Sequence, residues 1–155
     1  MNIGMIIYSQ TGNTLSVAMK LKEKLAAAGH AVTLEQVKVI GEARPGMKDI
    51  RFETLPSPEP YDALVFGSWV LGFSLTPAMN SYLKQVATLQ GKRVACLITH
   101  YFPFAWMGGS RAMGQMKSIC ESKGATVIGS GVVNWSNSRR EQEIAEVVDR
   151  LSKLF

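Results

Sequence analysis

Apolar positions recur with two different periods along this chain, and the alternation between those periods lays out its elements. Ile3-Gly4-Met5-Ile6-Ile7-Tyr8 is a short apolar run, and after it Ala18, Leu21, Leu25 and Ala28 fall at helical spacing. The pattern predicts a strand, a polar turn and a helix over Asn13–Ala28 that stops at Gly29. In Ala31–Val37 the residues Val32, Leu34 and Gln36 share one face and Thr33 and Glu35 the other, as in an edge or near-edge strand. Ala63-Leu64-Val65-Phe66-Gly67 and Val94-Ala95-Cys96-Leu97-Ile98 are uninterrupted apolar runs, the signature of strands covered on both faces. Each leads to a helical stretch: Met79–Leu89, with Pro77 in its first turn, and Ser110–Lys123, closed by Gly124. Val127–Val133 supplies a last strand, and Ile144, Val147, Val148 and Leu151 make the buried stripe of a last helix. Only Lys38–Pro60 lacks a period. It holds Gly41, Pro45, Gly46, Pro56, Pro58 and Pro60, and it predicts a surface crossover in which any helix is short, around Gly46–Phe52.

Strands alternating with helices give an α/β protein with a doubly wound parallel sheet. At 155 residues and 17.0 kDa it is one domain, residues 1–155, with 46% hydrophobic and 19% charged residues, which excludes a disordered chain. The N-terminus has neither a basic region nor a long apolar core, and no run approaches membrane-spanning length, so a cytoplasmic protein without membrane contact is expected. Cys96 and Cys120 lie in a strand-like and a helix-like run with no metal-type spacing, and read as reduced core thiols rather than a catalytic pair. No metal site is expected. His30, just past a helix end, reads as a solvated turn residue. The net charge of +5 is spread along the chain, with only Lys92-Arg93 and Arg139-Arg140 adjacent, so nucleic-acid binding is disfavoured. A basic surface of this kind suits acidic partners or phosphorylated nucleotides.

The chemistry concentrates at Ser9-Gln10-Thr11-Gly12-Asn13-Thr14, between the first strand and the first helix. Hydroxyls, an amide and a glycine meet there at a helix N-terminus, whose unpaired N–H groups and dipole favour an anion. The bland alternative is a Ser/Thr-rich helix cap. From Met1 to Ala18 there is no lysine or arginine, so a phosphate would be held by neutral donors. The triphosphatase loop with its lysine and the Gly-x-Gly-x-x-Gly dinucleotide fingerprint are both missing after this strand. A receiver domain is disfavoured as well, since no acidic residue stands at the end of the strand.

Ser-Gln-Thr-Gly-Asn-Thr in this place resembles the FMN phosphate loop of the flavodoxin family, roughly Ser/Thr-x-Thr-Gly-x-Thr. The resemblance implies that Ser9, Thr11, Gly12, Asn13 and Thr14 surround the phosphate of FMN, with Gln10 offering its backbone N–H. It extends over essentially the whole chain and implies a short-chain, five-stranded sheet in the order 2-1-3-4-5, with the switch point between strands one and three. Gly67-Ser68-Trp69-Val70-Leu71-Gly72, followed by Thr76-Pro77, is similar to the second flavin loop, and so Ser68, Trp69, Val70, Leu71 and Gly72 are implied cofactor contacts. Related reductases read Gly-Ser-Pro-x-Tyr there; this chain has Trp69 and Leu71 instead. Trp69 either covers a flavin face or packs against the neighbouring helix.

Thr99-His100-Tyr101-Phe102-Pro103-Phe104-Ala105-Trp106-Met107-Gly108-Gly109 occupies the place of a third flavin loop. Thr99, His100, Tyr101, Gly108 and Gly109 are implied contacts, with Tyr101 the choice for the ring. Four aromatics in a loop would otherwise form a large exposed apolar patch, so Phe102, Phe104 and Trp106 are candidates for a substrate or homodimer contact. His100 is either a proton donor or nicotinamide contact, or a histidine bonded to backbone. Met113, Met116 and Cys120 share one helical face and read as core.

The resemblance implies electron transfer through non-covalent FMN, with no catalytic acid, base or nucleophile required of the protein. Two versions stand side by side: a carrier that docks on a redox partner protein, and a reductase that uses NAD(P)H to reduce a quinone or similar small acceptor. From a different class, a flavin-free binding module of the same fold remains the third reading.

Overall fold

The computed structural model describes residues 1–41, 49–101 and 109–155. Its elements follow in the order β1 (Asn2–Ile7), α1 (Asn13–Ala27), β2 (Ala31–Gln36), β3 (Lys38–Val39), β4 (Phe52–Thr54), β5 (Ala63–Leu71), β6 (Ser74–Leu75), α2 (Pro77–Gln85), β7 (Arg93–His100), α3 (Gly109–Ser122), β8 (Thr126–Asn134) and α4 (Arg140–Ser152). The main sheet runs β2-β1-β5-β7-β8, every neighbouring pair parallel. That is the expected five-strand order 2-1-3-4-5, and the chain reverses direction across the sheet between β1 and β5.

Successive side chains leave a strand on opposite sides, so each apolar run feeds two cores. Ile6, Leu64, Phe66, Val94, Cys96 and Ile98 point to the layer of α2 and α3, where they meet Met79, Leu83, Met116 and Cys120. Ile3, Met5, Ile7, Val65, Ala95 and Leu97 point to the layer of α1 and α4, against Val17, Leu21, Leu25, Ile144, Val148 and Leu151. The methionine face of α3 is core, as its spacing indicates. Both cysteines are buried, and the Cys120 thiol beside it, followed by burial, holds the Cys96 thiol well above the usual range. Gly67 marks a close approach: a Cβ there would fall 2.7 Å from Ile7 Cδ1 and 3.3 Å from Thr14 Cγ2, where β5 runs under the start of α1.

The crossover has no helix among its described residues. Phe52, at the end of the stretch where a short helix had room to form, lies in a strand paired antiparallel with Val39; Gly46 to Lys48 lie outside the described residues. An aromatic next to Glu53 and Thr54 packs on the β3 partner more readily than it starts a helix before a proline cluster. Strands β5 and β7 also outrun their apolar stretches. They continue through Leu71 and His100 because register with the neighbour is kept to the pair Trp69 and Thr99. Helix α2 is shorter than expected, turning extended at Val86, although Leu89 is still buried and its N–H donates to the Lys123 carbonyl. Among the described residues no helix is long and apolar enough to cross a membrane.

Candidate functional site

The carboxyl ends of β1, β5, β7 and β8 all finish on one edge of the sheet, and a cleft of about 440 Å³ opens there. Its described walls are Ser9, Thr11, Asn13, Thr14, Trp69, Val70, Thr99, His100, Tyr101 and Trp135. None is Asp, Glu, Lys or Arg. The absence runs deeper than the wall, because Met1–Met19, Ala63–Leu83, Val94–Ser110 and Gly124–Ser138 carry no charged residue at all.

The first wall is the turn into α1. Gly12 takes φ of 92°, a left-handed value that glycine adopts without strain, and nothing lies within 4 Å of where its Cβ would be. The N-cap residue of α1 is Gly12, which has no side chain to cap with, and the first turn has no acidic residue, so the helix start carries no built-in anion. Ser9 Oγ accepts from Leu15 N–H at 3.3 Å, which draws the turn around the helix start. Gln10 and Thr11 are exposed, while Asn13 is half-buried. Thr14 is different. It is buried, and its hydroxyl lies 2.7 Å from that of Thr99, so one of the expected donors is engaged within the protein.

The second wall is a hairpin rather than a loop. Ser68 to Leu71 are strand, Gly72 and Phe73 form the turn with φ of 62° and 61°, and Ser74–Leu75 return antiparallel to Val70 and Leu71. Two successive positive φ values make a turn whose twist suits a two-residue hairpin, at a local cost for a Phe in that conformation. Ser68 is fully buried and joins a polar relay: Met79 N–H donates to Thr76 Oγ1, Thr76 Oγ1 lies 2.8 Å from Ser68 Oγ, and Ser68 Oγ donates to the Trp69 carbonyl. Ser68 thus secures the start of α2 instead of lining the cleft. Trp69 stacks on Tyr8, ring centroids 6.1 Å apart at 23°, and its indole Nε1 is buried with no hydrogen-bond partner among the described residues. The indole packs on the α2/α3 core and also lines the cleft. Burial raises the pKa of Tyr8 beside it and keeps that hydroxyl neutral.

The third wall is the end of β7. Thr99 and His100 are strand residues and buried, whereas Tyr101 is 70% exposed at the cleft mouth. Gly109 opens α3 directly against the His100 ring, and a Cβ there would come within 3.0 Å of His100 Cδ2. Phe102 to Gly108, which include Phe104, Trp106 and one of the two expected glycines, lie outside the described residues. Of the expected contacts, Ser9, Thr11, Asn13, Thr14, Trp69, Val70, Thr99, His100 and Tyr101 come together on the cleft. Gln10, Gly12, Ser68, Leu71, Gly72 and Gly109 shape the adjoining backbone.

Trp135, after β8, completes the wall and was not singled out from the sequence. The available signal was its place at the carboxyl end of a strand, which it shares with the other three walls. A groove of about 360 Å³ between α1 and α4 is of another kind, bridged on the surface by Lys20–Glu141 and Lys24–Asp149 ion pairs.

No protein-family model and no curated protein sequence matches the chain. Solved structures do. A flavodoxin of Streptococcus pneumonia TIGR4 superposes with a TM-score of 0.73 at 17% identity, covering 99% of this chain and 96% of the other. Oxidised Flavodoxin 2 from Bacillus cereus gives 0.71 at 19%, covering 100% of both chains. Two-electron reduced Megasphaera elsdenii flavodoxin gives 0.65 at 20%, covering 96% and 98%. The chain therefore has the flavodoxin-like fold over its whole length.

Proposed function

We propose that this chain binds FMN without a covalent link across the ends of β1, β5 and β7, and that it serves as an electron-transfer flavoprotein. The observation that carries the reading is the convergence of a helix start without a built-in anion, an indole and a tyrosine on one cleft, at the switch point of the sheet, whose described wall holds no Asp, Glu, Lys or Arg.

The residues present fit that group. Gly12 leaves open space where a Cβ would stand, the first turn of α1 has no acidic residue, and the Trp69 Nε1 donor is buried without a partner among the described residues. Ser9, Thr11, Gly12 and Asn13, with the Gln10 N–H, would hold the phosphate through neutral donors and the helix dipole. Thr14 would join through its shared hydroxyl bond with Thr99. Trp69 and Val70 on one side, Thr99, His100 and Tyr101 on the other, and Leu71, Gly72 and Gly109 in the adjoining backbone would border the ring. FMN supplies the redox chemistry when bound. The chain's own residues bind it, orient it and keep water from its buried side.

Tyr101 favours a second reading. A ring 70% exposed at the mouth offers a nicotinamide or a planar acceptor a stacking surface, as an NAD(P)H-dependent quinone reductase requires. One experiment separates the readings. FMN-reconstituted protein is mixed anaerobically with NADPH or NADH, and the visible flavin absorbance is followed. Rapid bleaching selects the reductase. Bound flavin that ignores both nucleotides but accepts electrons from a chemical reductant selects the carrier with a protein partner. Protein that takes up no FMN refutes both and leaves a binding module.

A further inference from the structure

Trp135 is held from three sides. Its backbone N–H donates to the His100 carbonyl at 2.7 Å, extending the ladder one residue beyond the pair of His100 and Asn134. Its carbonyl accepts from an Arg140 Nη at 2.8 Å, and the same guanidinium stands 4.7 Å from the centroid of its indole. The turn behind it is also fixed. The Glu143 carboxylate accepts from Asn134 N–H and from Asn137 Nδ2, while the Asn134 and Asn137 side chains take the N–H groups of Ser136 and Arg139.

An indole that only filled space would not need a cation bonded to its own carbonyl and laid against its ring. The two contacts together fix the tilt of the ring and lay the guanidinium against it, while the indole also lines the cleft. Trp135 packs on the α1/α4 core and Trp69 on the α2/α3 core, so the cleft is bounded by an indole from each layer of the fold.

We infer that Trp135 is a ligand-contacting wall of the cleft and that Arg140 is its positioning residue, acting on the ligand only through the indole. The inference rests on the FMN reading. It adds a fourth strand end to the site, and it assigns to a chain with no cation in its phosphate loop an arginine whose part is to set an aromatic surface.

The test is a double-mutant cycle on FMN affinity, followed by quenching of flavin fluorescence. Trp135→Ala is expected to weaken FMN about tenfold, the scale of one lost aromatic contact. Trp135→Phe, which keeps a ring and the packing, should retain most of the affinity. Arg140→Met should weaken binding several-fold in the wild-type background and add nothing once Trp135→Ala is present, whereas Arg140→Lys should recover only part of the loss. Binding by Trp135→Ala equal to wild type overturns the inference, even if its melting temperature has fallen. An Arg140→Met effect of equal size with and without Trp135 overturns the positioning role. Wild-type protein that binds no FMN refutes the cofactor reading and this inference with it; FMN binding indifferent to Trp135 refutes the inference alone.

Discussion

The hydroxyls of Thr14 and Thr99 meet at 2.7 Å in the interior, both side chains at most 2% exposed, and so join the first turn of α1 to the end of β7. A residue expected as a phosphate donor is in this way tied to a residue expected as a ring contact. The bond couples the two walls of the cleft. Thr14→Val leaves the Thr99 hydroxyl buried and unpaired and is expected to cost ~1–3 kcal/mol of stability, whereas Thr14→Val with Thr99→Val removes both partners and should cost much less than twice that. Urea denaturation of Thr14→Val, Thr99→Val and the double variant measures it; additive losses would mean that the two hydroxyls are not paired.

Gly12 offers a separate handle on the helix start. Its φ of 92° makes Gly12→Ala strained although nothing obstructs the new methyl group, so a loss of ~1–2 kcal/mol in stability is expected, with weaker FMN binding from the displaced N–H groups. Wild-type stability in that variant would show that the turn relaxes to an ordinary conformation.

Trp69 carries an unpartnered buried donor. Trp69→Phe removes that N–H while keeping a ring on Tyr8, and the protein without cofactor should be as stable as wild type or more so. If the indole N–H meets the cofactor, the same variant binds FMN more weakly, by about three- to tenfold, in titrations. Unchanged affinity would reduce Trp69 to a stacking surface.

The tyrosines set an alkaline limit. Tyr82 is buried and donates its hydroxyl to the Pro56 carbonyl; burial first, then the nearby Glu35 and Tyr61 charges, push its pKa well above the ordinary tyrosine value. A folded pKa raised above the unfolded one gives stability that is complete below pH ~10 and lost as pH rises through the folded value. Tyr82→Phe should therefore cost ~1 kcal/mol near neutrality and decline less steeply above pH ~10. Tyr8 and Tyr61, also raised by burial, keep a residual slope. Parallel alkaline declines in the two proteins would exclude Tyr82 as a contributor.

Much of this was legible in the sequence because it depends on local spacing. The apolar runs of β1, β5 and β7 fixed which strands are covered on both faces, and helical spacing gave the buried stripes of α1, α3 and α4. Ser9 to Thr14 could be read as a turn into a helix because glycine and small polar residues have that use in any fold. What sequence could not settle depends on partners far away in the chain. Whether Ser68 faces a ligand or Thr76 follows from where β5 ends against α2, and whether Phe52 is helix or strand follows from its pairing with Val39. Trp135 shows the same division most plainly. As one aromatic in Asn134-Trp135-Ser136-Asn137 it has no period and no motif; it becomes a wall of the cleft only when β8 pairs with β7 and α4 brings Arg140 over its ring. Sequence determined the elements and the chemistry available at one end of the sheet, since those are properties of neighbours along the chain. Tertiary structure alone decided which of those groups face one another, since that is set by strand register and by packing between layers.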